Sequence, residues 1–228
     1  MTGVQTCALP ICSYGTAIAG AIVDGGTFDW AANPDKFPQY NNPDPSYHGL
    51  VYAAALGNIA YIIKARVQLL RDIGPAASPF NAFLILQGIE TLSLRMDRIT
   101  ENTKKVAQFL KDHPRVAWVN YAGLEDHPEH ALAQKYLSGS ASGLLTFGVP
   151  GGREGGARFL DALQLFTRLV NIGDVRSLAT HPASTTHRQL SPEELEKAGV
   201  SEDAVRLSVG IEHVDDLIAD LDQALAAV

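Results

Sequence analysis

The sequence predicts an α/β protein in which helices cover one face of a small sheet, and three observations carry that prediction. From residue 116 to 227, short runs with apolar residues at every second position alternate with segments where apolar residues recur every three or four. Glycine, proline and capping residues fall at the joints between these runs. With 46% apolar residues over 228 positions, the chain can fill a packed core as one large domain or one and a half. Strands interleaved with helices in this order stack as a sheet with a helical layer.

Taken in order, residues 1–11 (Met-Thr-Gly-Val-Gln-Thr-Cys-Ala-Leu-Pro-Ile) resemble the translation of a sequencing-library adapter. Such a foreign segment carries no fold information, and an ordinary frayed terminus is likewise expected to lack stable structure. Residues 16–23 form a small, β-branched apolar run ending in Asp24-Gly25-Gly26, which predicts a buried strand closed by a turn. Residues 25–49 hold Pro34, Pro38, Pro43 and Pro45 and predict a long irregular loop, either functional or disordered. Residues 50–73 predict one helix or two, with Ile59, Ile62, Ile63, Val67 and Leu70 on one stripe and Gly74 as the C-cap. Ser78-Pro79 has the form of an N-cap with proline at the first helical position. The helix it opens is expected to reach Lys111, with Gly88 as a possible kink and a length suited to bridging two domains. Arg95 and Arg98 on it are expected to be solvated or ion-paired.

Beyond His113-Pro114 the period changes. Strands are expected at 116–121, at 143–149 with Leu145, Phe147 and Val149 on one face, at 169–172 and at 205–209. A loop and short helix are expected over 125–136, and helices over 153–167, from the capping box Ser191-Pro192-Glu193-Glu194 to Gly199, and over 214–225. In the last of these, Val214, Leu217, Ile218, Leu221 and Leu225 should face inward and Asp215, Asp216, Asp220 and Asp222 outward.

Composition narrows the function. A formal charge of -7 without a basic cluster argues against a nucleic-acid partner, whereas a small anionic metabolite needs only one local arginine. The first basic residue is Lys36, so no charged n-region of a signal peptide is expected, and the longest apolar run, residues 50–63, is interrupted by Gly57 and Asn58. A soluble, cytoplasmic protein without membrane contact is the expectation. Cys7 and Cys12 supply no disulfide framework. None of the seven histidines shows the helical pairing of a zinc site, so no metal is expected. His181 and His187 flank a turn and are expected to hold it by hydrogen bonds. Ser177, His187 and Asp174 make a triad on paper, without a nucleophile elbow.

Alternation along residues 204–209 puts Arg206 on the face away from Val205, Leu207 and Val209. A guanidinium there can grip a carboxylate through two parallel hydrogen bonds, and it can equally be a solvated arginine on an open sheet face. Ser177 alone has the character of a turn residue.

Residues 174–190, with the core Ser-Leu-Ala-Thr-His-Pro-Ala-Ser-Thr-Thr-His, and the later Val-Arg-Leu-Ser-Val-Gly-Ile-Glu resemble the C-terminal signature of the pyridoxal-phosphate enzymes of cysteine and methionine metabolism. Pro43-Asp44-Pro45-Ser46-Tyr47-His48-Gly49 resembles the insertion of the O-acetylhomoserine sulfhydrylase branch, where Tyr47 and His48 either line a site entrance or anchor a surface loop. The resemblance implies the C-terminal part of a fold-type-I transferase: 12–78 as the tail of the cofactor domain and 79–228 as the C-terminal domain. It implies pyridoxal 5'-phosphate as cofactor, O-acetyl-L-homoserine and sulfide as substrates, and a homotetrameric parent. It further implies that Arg206 and Ser177 hold the substrate's α-carboxylate. The family's Schiff-base lysine would fall near Leu9, where no lysine stands, so the chain as written is expected to be inactive. A γ-lyase or cystathionine γ-synthase of the same family, and a non-catalytic α/β interaction domain, are the competing readings.

Overall fold

The computed structural model describes the backbone of Val4–Ala8 and residues 14–228, the side chain of Pro192 excepted. Two compact units result: one contains residues 18–84 with the 4–8 strand, the other residues 14–17 and 85–228.

In the first unit, β1 (Val4–Ala8) pairs antiparallel with β2 (Gly20–Asp24). The segment expected to lack structure therefore holds a strand. The run expected to be buried is instead exposed, Ile22 at 46% and Val23 at 63%. A strand apolar on both faces is buried only when a layer covers each face, and a two-stranded ribbon supplies neither. The Asp24 carboxylate accepts the Gly26 N–H at 3.0 Å, which makes the expected turn. The loop expected over 25–49 folds into short helical turns at Trp30–Ala32 and Pro45–Tyr47 and into α1 (Pro38–Asn41). Asp29 and Asp44 cap the two turns through their side chains. An aromatic cluster anchors the segment: Trp30 stacks on Tyr40 at 4.4 Å and on Tyr61 at 5.7 Å. Rings of this size supply the buried area that the proline-rich composition conceals. The helical stretch that follows is α2 (Tyr52–Leu56), a tight turn at Gly57–Ile59, α3 (Ala60–Lys64) and a π-helix at Ala65–Ile73, ended by Gly74 in the left-handed conformation (φ 78°).

Ser78 caps α4 (Pro79–Glu90) by accepting the Asn81 N–H at 3.0 Å. The division between the units falls inside α4, after Leu84. The single long helix expected here breaks at Thr91, and α5 (Leu92–Asp112) begins again beyond it. In the second unit a five-stranded sheet runs β3-β4-β7-β6-β5, from β3 (Trp118–Asn120), β4 (Leu144–Gly148), β5 (Thr167–Arg168), β6 (Leu178–Thr180) and β7 (Ala204–Ser208). Only the β5-β6 pair is parallel. Between the strands lie α6 (His130–Tyr136), α7 (Gly152–Ala162) and α8 (Pro192–Lys197), and α9 (Val214–Leu225) closes the chain. Leu145 and Phe147 of β4 and Val205 and Leu207 of β7 meet Val106 and Leu110 of α5, Phe159 of α7 and Leu217 and Leu221 of α9 in one core. The helices thus cover one sheet face, as expected.

Two boundaries differ for one reason. The helix expected to reach Thr167 ends at Ala162, and the strand expected at 169–172 is β5, earlier and shorter. Asp220, expected to face outward, is 6% exposed and accepts the N–H groups of Gln164, Leu165 and Phe166 at 2.8, 2.9 and 3.0 Å. The carboxylate takes the donors that a longer α7 would have bonded internally, and the chain turns toward β5.

Candidate functional site

The sheet face opposite the helices carries Arg206 at the centre of β7. Its register partners are Thr146 on β4 and Thr180 on β6, so the guanidinium stands between two hydroxyl side chains. Arg206 is half-buried and lines two hollows, one of about 280 Å³ with Trp118, Thr180, His187 and Ser201, the other of about 330 Å³ with Tyr121 and Ser142. Asn120 and Thr146 border both. Among the described residues, neither wall contains a carboxylate. Among the described residues, Arg206 has no hydrogen-bond or ion-pair partner. A half-buried guanidinium flanked by neutral donors is arranged to take up an anion, and its planar fork suits a carboxylate. Burial pushes the Tyr121 phenol up to about 12, so it stays a neutral donor, to the Ser142 carbonyl at 3.1 Å.

Ser177 is placed differently. It is fully buried, donates its hydroxyl proton to Glu212 Oε2 at 2.8 Å and accepts the Gly210 N–H at 2.8 Å. A serine has one proton to give, so in this arrangement its hydroxyl cannot also donate to a substrate carboxylate. The structure brings Thr180, not Ser177, beside Arg206. The paper triad does not assemble, because Ser177 bonds Glu212 while Asp174 accepts the Arg176 N–H at 3.1 Å. His181 is fully buried; its Nε2 faces the Glu202 carbonyl at 2.8 Å and must carry the proton, which leaves Nδ1 to accept from Ser184 at 2.8 Å. Burial lowers its pKa, so it is a neutral loop brace. His187 borders the Arg206 hollow and bonds Thr186 at 2.9 Å. Tyr47, in the first unit, donates its hydroxyl to the Val67 carbonyl at 3.0 Å, and His48 is exposed in the left-handed region (φ 53°).

Sequence reasoning missed several polar residues of the second unit. Arg95, expected to be solvated or ion-paired, is 5% exposed, donates to the Gly88 carbonyl at 2.7 Å and lies 4.4 Å from the Tyr14 ring. On the other side of that segment, a Cβ at Gly15 (φ 80°) would come within 2.2 Å of the buried Asp174 carboxylate. Arg98 is exposed, as expected. Among the described residues no metal-ligating cluster of three side chains occurs.

The chain matches the family model described as Cys/Met metabolism PLP-dependent enzyme over residues 11–226. It belongs to that family. Its relatives include the O-acetyl-L-homoserine sulfhydrylase 1 of Thermus thermophilus, 55% identical over 93% of this chain and 50% of the relative. The homocysteine synthase of Schizosaccharomyces pombe is 50% identical, over 93% of this chain and 49% of its own length. A crystal structure from Campylobacter jejuni, described as an O-acetylhomoserine (thiol)-lyase and carrying N'-pyridoxyl-lysine-5'-monophosphate, superposes with a TM-score of 0.84 at 43% identity. It covers 98% of this chain and 53% of its own. The chain therefore spans about half the length of the relatives it matches. The α/β fold is that of this pyridoxal-phosphate family. Its covalent lysine is another matter: no lysine lines either Arg206 hollow, and position 9, near which the family lysine was expected, is Leu and lies outside the described residues. The described residues at the site do not fit covalent attachment of the cofactor.

Proposed function

We propose that residues 12–228 are the C-terminal half of a pyridoxal-phosphate-dependent O-acetylhomoserine sulfhydrylase, and that Arg206 binds the α-carboxylate of its amino-acid substrate. In this reading 12–78 is the tail of the cofactor domain and 79–228 the C-terminal domain. The parent replaces the acetate of O-acetyl-L-homoserine with sulfide to give L-homocysteine. The observation that carries the proposal is the uncompensated guanidinium between Thr146 and Thr180, in hollows without an acidic wall. Two charge-assisted bonds from a planar fork fix both position and orientation of a carboxylate, which is how such a clamp contributes to rate. The relatives' names support the substrate class. In the first unit, exposed Ile22, Val23, Phe80 and Phe83 are apolar surface of the kind a further half of the protein would cover.

A cytoplasmic, homotetrameric parent belongs to the same reading and rests on the family resemblance. Among the described residues, no helix is long and apolar enough to cross a membrane.

Two measurements test the proposal. The 228-residue chain mixed with pyridoxal phosphate should give no lysine-bound absorbance band that survives dialysis; a stable band lost on changing one lysine refutes the assignment of the missing group. Joined to the upstream half of the Thermus thermophilus relative, residues 12–228 should support sulfide-dependent homocysteine formation. There Arg206→Ala should lower kcat/KM about a hundredfold, the loss expected for a charged bidentate contact, with thermal stability intact. Unchanged kinetics in Arg206→Ala removes the clamp, and release of a keto acid without sulfide favours a γ-lyase.

A further inference from the structure

One carboxylate locks the end of β7 to the start of β6. Glu212 Oε1 accepts the Ser177 N–H at 2.6 Å, Oε2 accepts the Ser177 hydroxyl at 2.8 Å, and that hydroxyl in turn accepts the Gly210 N–H at 2.8 Å. The Ile211 N–H reaches the Val175 carbonyl at 3.0 Å. From α5, Asn102 Nδ2 donates to the carbonyls of Gly210 at 3.0 Å and Glu212 at 2.9 Å. A Cβ on Gly210 would lie 2.4 Å from the Val175 oxygen and 2.5 Å from Glu212 Oε2, so the two segments meet too closely for any residue but glycine.

The joint sits where the carboxylate site is set up. Thr180 ends β6, the strand that begins just after Ser177, and is the register partner of Arg206 on β7, the strand that ends just before Gly210. The segment leading into Ser177 borders the same site, because Val170 lines the Arg206 hollow and the Gly173 N–H donates to Ser208 Oγ at 3.3 Å. Whatever fixes Ser177 against Glu212 therefore fixes both the strand beside Arg206 and the loop along its hollow. The carboxylate suits this task because it accepts from two donors of one residue at once; an amide in its place presents its NH2 to one of them.

We infer that Glu212 is a positioning residue for carboxylate binding at Arg206, acting through Ser177, and the inference rests on the proposed function above. Ser177 serves the site as half of this joint, with its hydroxyl facing Glu212. In the joined full-length protein, Glu212→Gln should raise KM for the amino-acid substrate about tenfold, the effect of losing one charge-assisted bond, and change kcat by less than about threefold. Ser177→Ala, which keeps the N–H contact, should raise KM by a smaller factor. A purely structural joint would lower the active fraction, and with it kcat, and leave KM where it was. Unchanged KM in both variants, with Arg206→Ala still raising it, overturns the role of Glu212 and leaves the proposed function standing. An Arg206→Ala variant without effect overturns both. If Glu212→Gln does not fold, the milder Ser177→Ala decides the matter alone.

Discussion

Replacing Asp220 with alanine should destabilise the second unit by about 3–5 kcal/mol. The carboxylate, 6% exposed, accepts three successive backbone N–H groups at 2.8–3.0 Å and the Gln223 amide at 2.9 Å. Bonds to a charged group contribute about 1.5–3 kcal/mol each, yet not all are lost in full. Leu165 is 39% exposed, so its N–H can turn to water, and Gln223 keeps the Ala162 carbonyl at 2.8 Å. Phe166 is 4% exposed and its N–H would be left unpaired, which costs about 1–3 kcal/mol. One orphaned donor at about 2 kcal/mol and one lost charge-assisted bond at about 1.5–3 kcal/mol make up the total. Asp220→Asn retains one accepting oxygen and should cost roughly half as much. Urea denaturation of the 228-residue chain, read at the Val205 and Leu207 amides of β7, follows global opening of this unit. An Asp220→Ala variant within about 1 kcal/mol of the parent, or no worse than Asp220→Asn, refutes the reasoning.

Arg95→Ala should cost about 2–3 kcal/mol, through the Gly88 carbonyl left unpaired at the α4-α5 break, and should speed amide exchange at residues 14–17; Arg98→Ala, exposed one turn on, should stay within about 0.5 kcal/mol. Because burial lowers the His181 pKa, the unfolded chain takes up a proton that the folded one resists. Stability should therefore fall as pH drops below the unfolded value of about 6.5 and be insensitive to this group above it. Comparing the pH 5.5 and 7.5 denaturation midpoints of the parent and His181→Asn checks this; an equal acid loss in both removes His181 as the cause.

The sequence made legible what is decided within a dozen residues. The bounds of α9, the alternation of Leu145, Phe147 and Val149, the Ser191 capping box and the left-handed Gly74 each follow from local period or local backbone chemistry. The misses are polar residues at core positions. Asp220 lies on the stripe of Leu217, Leu221 and Ala224, and Arg95 on that of Ile99, Asn102 and Val106; all of these are buried. Helical spacing puts both side chains on these inward stripes, although their residue type suggests solvent. A charged side chain on a buried stripe is worth reading as inward whenever free backbone groups can reach it, here the N–H groups after α7 and the Gly88 carbonyl. Those partners are distant in sequence or on the far side of a helix break, so no local window displays them. The exposed β2 is the opposite failure: its composition describes a strand covered on both faces, and the described residues provide no such layers.

The same distinction separates the two residues assigned to the carboxylate site. Strand alternation fixes the face of Arg206, while its carboxylate role, like that of Ser177, comes from the resemblance. Ser177 was assigned by resemblance, and its hydroxyl turns out to face Glu212, a partner no pattern in the sequence joins to it. What remains is an arginine whose neighbours, Thr146 and Thr180, can orient a bound anion but cannot neutralise the guanidinium. A carboxylate across the strand can match an arginine in a sheet face, since partial desolvation of an unpaired charge is unfavourable. Among the described residues that match is missing on both sides, which leaves the guanidinium without a counter-charge and free to pair with an anion.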